Sequence, residues 1–195
     1  MKNIPDKQPS ILEEVIKTLQ GGETILYPTD TVWGLGCDAT NSEAVQKIYG
    51  IKQRDESKAL IILVKDLEML QNYVEEIPAA VFEILTTAKR PTTIIYAQAR
   101  NLAPNLIAAD GSVAIRIPQH DFCQALFEEW QKPLVSTSAN ISGEPTPIYF
   151  KEVSEEIKNQ VDYTVDSSRF DIQIPTQPSR ILKIGRGGEV VIIRD

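Results

Sequence analysis

The sequence predicts an α/β protein with a mixed sheet. Helical segments and strand-length apolar runs alternate along the chain, and it closes on two strands, "RILKI" and "EVVIIRD", joined by the turn "GRGG". With 195 residues, 42% hydrophobic and 24% charged, the composition is that of an ordered protein with a sizeable core. No repeat, low-complexity tract or linker interrupts it, so residues 1–195 read as a single domain.

Each element has a local cause. Ser10 and Glu13 form a capping box; Ile11, Leu12, Val15, Ile16 and Leu19 mark the buried helical face, and Gly21 and Gly22 end the helix. A strand at 24–27 leads into "YPTDTVWGLGCDA", residues 27–39, which reads as a long loop. Loops of that length are often functional, and Gly34 and Gly36 permit a positive φ or close approach of a ligand. The plainer alternative is a surface loop stapled by Trp33. Thr40 and Glu43 are spaced as a second capping box, opening a helix over 42–49. A basic segment at 52–58 precedes a strand at 59–64 and a helix near 66–73. A further helix after Pro78 carries Val81, Phe82 and Leu85. Strands follow at 92–96, 112–117 and 134–137, with a helix over 120–130. The polar connection "SANISGEPTP" leads to a helix near 150–159.

Several function classes are disfavoured. The richest apolar run, "ALIILV", is strand-sized, and "MKNIPDKQPS" has no apolar signal region, so neither a membrane span nor export is expected. Cys37 and Cys123 lie far apart without metal-ligand spacing, which suits free thiols in a reducing cytoplasm. His120 is the only histidine and lacks an elbow motif to serve, so a serine-hydrolase reading fails; a capping or surface role suits it better. Neither a Walker P-loop nor a G-x-G-x-x-G fingerprint is present. The net charge of −7 opposes indiscriminate polyanion binding. A nucleotide site would need local positive charge, and Lys47, Lys52, Arg54 and Lys58 could supply it; the alternative is a solvated helix end and loop.

Two strands carry polar residues toward one place. In "SVAIRIP", period two sets Ser112 and Arg116 on the face opposite Val113, Ile115 and Ile117. An arginine in an apolar strand is costly unless an anion faces it. That anion is either a structural Asp or Glu, or a ligand carboxylate or phosphate. In "PLVSTSAN" a buried strand ends with Ser136, Ser138 and Asn140 on one side, either as a ligand-binding strand end or as a polar turn. Without a nucleophile and base, chemistry built on positioning and charge stabilisation fits best, as in phosphoryl or nucleotidyl transfer.

The motifs "YPTDTVWGLGCDA", "KQRDESKALIILV", "SVAIRIP" and "STSANISG", in this order, resemble the YrdC-like family of threonylcarbamoyl-AMP synthases over about residues 10–185. The resemblance implies a twisted open mixed sheet with flanking helices around a large concave cavity. It implies condensation of L-threonine, bicarbonate and ATP to threonylcarbamoyl-adenylate, with release of pyrophosphate. A partner threonylcarbamoyl transferase would then modify an adenosine of tRNA. Matched residue by residue, Thr31, Arg116 and Ser138 fall to threonine, and Arg54, Lys58, Ser112, Asn140, Thr146 and Ser179 to ATP. Lys52, Arg54 and Lys58, with Mg²⁺ accompanying ATP, would offset charge developing on pyrophosphate when the carbamate attacks the α-phosphorus.

The sequence departs from the family pattern at Asp55, Leu63 and Arg90, where proline, histidine and glycine are common. Two rival readings follow from the same resemblance: a double-stranded RNA or tRNA-binding module, with weak RNA contact through the basic segment, and a divergent carbamoyl-transfer paralogue.

Overall fold

Ser10 begins helix α1, Ile11–Gln20, with the anticipated capping box: its side chain accepts from the Glu13 amide, and the Glu13 carboxylate accepts from the Ser10 amide. The computed structural model describes residues 10–56, 59–166, 168, 178–185 and 187–195. Val15 and Leu19 of α1 are buried, and the helix packs against β1, Ile25–Tyr27, and α5, Asp121–Trp130.

The connection from Tyr27 to Ala39 is not one loop. Gly34–Gly36 forms strand β2, paired antiparallel with β1 on one side and with β6, Leu134–Ser138, on the other. Trp33 is a core residue, its ring centroid 4.8 Å from that of Phe150. The cause is steric. A β-carbon at Gly36 would stand 2.7 Å from both the Tyr27 ring and the Val135 carbonyl oxygen, so only glycine lets these strands close.

The second capping box is also corrected. Asn41 caps α2, Ser42–Ile51, accepting from the amides of Glu43 and Ala44, while Thr40 bonds the Asp38 carboxylate. Strand β3, Ile61–Leu63, is shorter than expected, and α3, Leu67–Leu70, is a single turn capped by Asp66. In α4, Ala79–Thr87, Val81 is buried and Phe82 is 46% exposed. β4 is Thr92–Tyr96 and β5 is Val113–Arg116. His120 occupies the N-cap position of α5 without a side-chain capping bond. The expected helix over 150–159 divides into a 3₁₀ turn, Phe150–Glu152, and α6, Glu155–Lys158, which Ser154 caps. A 3₁₀ turn, Pro104–Leu106, precedes β5, and strands β7, Tyr163–Thr164, β8, Arg180–Ile184, and β9, Val190–Arg194, complete the described elements.

The described strands form one mixed sheet in the order β7-β1-β2-β6-β3-β5-β4-β8-β9. Three of its pairs are parallel, β1–β7, β3–β5 and β4–β8, and the others antiparallel. Register puts Gly34 opposite Ser138, Ile61 opposite Ser136 and Ala114, and Leu63 opposite Arg116. Strand period then brings Gly34, Ser136, Ser138, Ile61, Ala114 and Arg116 to one sheet face. Cys37 and Cys123 are buried free thiols, which burial pushes upward.

Candidate functional site

That face is the wall of a cavity of about 290 Å³. Thr31, Arg54, Arg116, Ser138, Thr146 and Ser179, drawn from six separate parts of the sequence, all line it. A larger cavity of 710 Å³ lies beyond Asp30, between α3 and the end of α4, but none of the anticipated site residues lines it. Convergent polar groups on rigid strands are the better mark of a site than volume, so the smaller cavity is the candidate.

Arg116 is the most constrained residue in the wall. Its side chain is 3% exposed and its Nη1 is ion-paired with Asp30, whose side chain is 8% exposed. Nη2 donates to Thr31 Oγ1 at 3.3 Å, whereas Nε is buried with no partner among the described residues. The second Asp30 oxygen accepts from the Gln119 amide at 3.0 Å, fixing the carboxylate. Of the two anions weighed for Arg116, the structure shows the structural one, Asp30, and it leaves the Nε–H without a partner among the described residues. Thr31 is oriented by Thr29, whose hydroxyl lies 2.9 Å from that of Thr31 and donates to the Val32 carbonyl at 2.7 Å.

The other anticipated residues are placed less simply. Arg54 lines the cavity and donates to the Ala59 carbonyl at 3.1 Å. Lys58 lies outside the described residues. Ser112 does not line the cavity; its hydroxyl donates to Asp110 at 2.5 Å. Asn140 does not line it either, its amide donating to the carbonyls of Ile141 and Glu144. Its Oδ1 is buried without a partner among the described residues. Lys52, anticipated as a phosphate cation, is 1% exposed and directs its ammonium at the carbonyls of Ser138 and Asn140. Burial, with Arg54 nearby, pulls that ammonium down to about 8.

Sequence reasoning missed Arg194. It lines the cavity and donates through Nε and Nη2 to the Ser179 carbonyl, at 3.1 and 2.7 Å. The signal was available: Arg194 ends an apolar run, "VVII", much as Arg116 ends "VAI". Ser179 is held on its other side by Thr93, hydroxyl to hydroxyl at 2.7 Å. Among the described residues the wall thus offers guanidinium groups and hydroxyls and no carboxylate. Nor is any group of three or more His, Cys, Asp or Glu among the described residues placed to hold a metal ion.

The chain is 35% identical over 175 residues to the threonylcarbamoyl-AMP synthase of Pseudoalteromonas translucida, covering 88% of this chain and 92% of that protein. It is 31% identical over 169 residues to that of Photobacterium profundum, covering 85% and 91%. A double variant of Sua5 from P. abyssi superposes with a TM-score of 0.84 at 25% identity; the match takes in 96% of this chain and 57% of that one. The family model for Sua5, YciO and YrdC, described as "Telomere recombination", matches residues 17–195. A match of that extent, with relatives above 30% identity over most of both chains, means that the chain belongs to the Sua5/YciO/YrdC family.

Proposed function

We propose that this protein is a threonylcarbamoyl-AMP synthase, joining L-threonine, bicarbonate and ATP and releasing pyrophosphate. The observation that carries the reading is the state of Arg116: a buried guanidinium in the cavity wall, anchored by Asp30 at Nη1 and unsatisfied at Nε. A buried donor without a partner is costly, and a carboxylate across the Nε and Nη2 edge would satisfy it bidentately. L-Threonine presents such a carboxylate, with Thr31 and Ser138 beside it in the same wall. Arg54 and Arg194 supply positive charge for phosphate oxygens, and Thr146 and Ser179 supply hydroxyls. Lys58 joins them in the proposal on the strength of its motif alone.

In the reaction proposed, the threonine amine adds to the carbon of bicarbonate, water leaves, and the carbamate oxygen attacks the α-phosphorus as pyrophosphate departs. The cations of the wall would offset charge on the departing group. Mg²⁺ enters only as the companion of ATP in the substrate. The product would pass to a threonylcarbamoyl transferase acting on tRNA, which places the work in the cytoplasm. No described helix is long and apolar enough to cross a membrane. The RNA-module alternative is weakened by Lys52, since one of the three cations of the basic segment is interior and cannot meet a polynucleotide.

The deciding experiment measures pyrophosphate release from ATP with threonine and bicarbonate omitted in turn. Release is expected to require both. Serine should support it less well, since one missing methyl group is worth only about 1–3 kcal/mol. Equal release without threonine would overturn the reading.

A further inference from the structure

Lys52 is among the largest fully buried side chains of the protein, in the company of Trp33 and Phe127. It makes no ion pair among the described residues, which is unusual for an interior ammonium. Its partners are backbone. Nζ donates to Ser138 O at 2.5 Å and Asn140 O at 2.7 Å, while its own carbonyl accepts from the Ser142 amide at 2.8 Å. Three bonds thus join the C-cap of α2 to five consecutive residues beyond the middle of β6.

Those five residues lead into the cavity. Ser138 lines it, and Thr146 lines it a few residues further on. Between them the Asn140 side chain ties the turn together through the carbonyls of Ile141 and Glu144. On the opposite side the Ala139 amide donates to the Trp33 carbonyl at 3.0 Å, next to the pairing of Ser138 with Gly34 of β2. Burying an ammonium costs several kcal/mol unless its donors are used, and here two are used on carbonyls two residues apart.

We infer that Lys52 is a positioning residue: its buried ammonium holds the Ser138 and Asn140 carbonyls, and so sets the segment that presents Ser138 and Thr146 to both substrates without itself touching either. The inference rests on the synthase reading for the identity of the substrates. The geometry it describes stands without them.

The test replaces Lys52 by Met, which keeps the length of the side chain and removes its donors. Calorimetry would measure ATP affinity, and threonine affinity with ATP saturating. Amide hydrogen exchange would be followed over residues 139–142 in the ligand-free protein. The expected result is a folded variant whose two affinities fall together, each about tenfold, with faster exchange confined to that segment. Loss of ATP affinity alone, with exchange unchanged, would overturn the inference and make Lys52 a direct phosphate ligand. Unchanged affinities in a variant that is merely less stable would overturn it as well.

If Lys52→Met does not fold, Lys52→Arg retains charge and donors. Its two affinities should again move together, and an ATP-only loss again overturns the inference. Exchange in the ligand-free protein needs neither substrate nor turnover. A wild-type enzyme inactive with threonine would therefore refute the synthase reading while leaving Lys52 to be judged on its own.

Discussion

Arg116 and Asp30 form a buried ion pair that uses only one end of the guanidinium: Nη1 meets the carboxylate, and Nε is left without a partner among the described residues. The side chain thus has a structural anchor at Nη1, and the threonine-binding edge we propose lies at Nε and Nη2. Lysine in its place could keep the charge opposite Asp30 but has no second, coplanar donor edge. We predict that Arg116→Lys weakens threonine binding by about 1.5–3 kcal/mol, roughly ten- to a hundred-fold, and leaves ATP binding nearly unchanged. Titration calorimetry with ATP saturating would show it. Wild-type threonine affinity in a folded variant would reduce Arg116 to the structural partner of Asp30.

Removing the other half of the pair tests the anchor. Asp30→Asn keeps an oxygen for the Gln119 amide but leaves Arg116 buried without a counter-charge. Breaking a buried pair from one side costs about 3–5 kcal/mol, and a loss in that range is expected in urea denaturation. A loss below about 1 kcal/mol, the worth of a surface pair, would mean that water reaches the guanidinium.

The close approach of β1 and β2 can be tested at one atom. In Gly36→Ala the new β-carbon meets the Val135 backbone carbonyl, which cannot rotate away, as well as the Tyr27 ring. At Gly34 the nearest atoms are the side chains of Ser136 and Tyr27, both at 3.3 Å, so a small adjustment relieves the contact. Gly36→Ala should cost about 1–3 kcal/mol, and Gly34→Ala less. Thermal melts of the two variants side by side would check the order. The reverse order would mean that β2 is held less tightly than its pairing implies.

These contacts also show where sequence reasoning succeeds and where it stops. Strands β4 and β6 stand out as apolar or β-branched runs, and the structure places them at 92–96 and 134–138. β2 reads only Gly-Leu-Gly; pairing on both sides makes it a strand, and no local propensity announces that. Phe82 follows the helical pattern yet faces outward, because periodicity sets the face of a helix and not the width of the buried stripe. The site divides in the same way. Arg116 could be singled out because a cation in an apolar strand demands a partner. Lys52 could not be placed, since its partners are backbone carbonyls 86 and 88 residues away, which leave no trace in the side-chain sequence.

Ser112 is tied to Asp110, whose carboxyl is held down to about 2 chiefly by the Ser112 hydroxyl, with Lys183 and the Ser112 amide contributing. A carboxyl depressed in the folded state stabilises the protein above its ordinary value of 3.8, and that stabilisation is lost as pH falls toward 2. The stability difference between the wild type and Asp110→Asn should therefore be largest near neutral pH and shrink below about pH 4. Asp110 is more than half exposed, so the effect will be modest. Denaturation midpoints of both proteins across that range would show convergence. Parallel curves would mean that the carboxyl titrates alike folded and unfolded.

Lys52 should give a slope of the same sign at alkaline pH. Burial, followed by the nearby charge of Arg54, lowers its ammonium from 10.5 to about 8 in the folded protein. Between those values the unfolded chain holds a proton that the folded chain has released, so stability rises with pH. Below the lower value both states are protonated, and the desolvation cost of the buried charge is borne in full. Had a carboxylate been the partner, the shift would run upward and stability would fall with rising pH. The deprotonated amine still has two N–H groups, enough for the Ser138 and Asn140 carbonyls, so the tie to β6 outlasts the charge. Other lysines and tyrosines titrate in the same range, so the quantity to follow is the difference between wild type and Lys52→Met. That difference should move in favour of the wild type from about pH 8 to pH 10 in urea denaturation. A difference that stays level would mean that the ammonium keeps its proton through the range, and that two carbonyls suffice to hold a full charge in this interior.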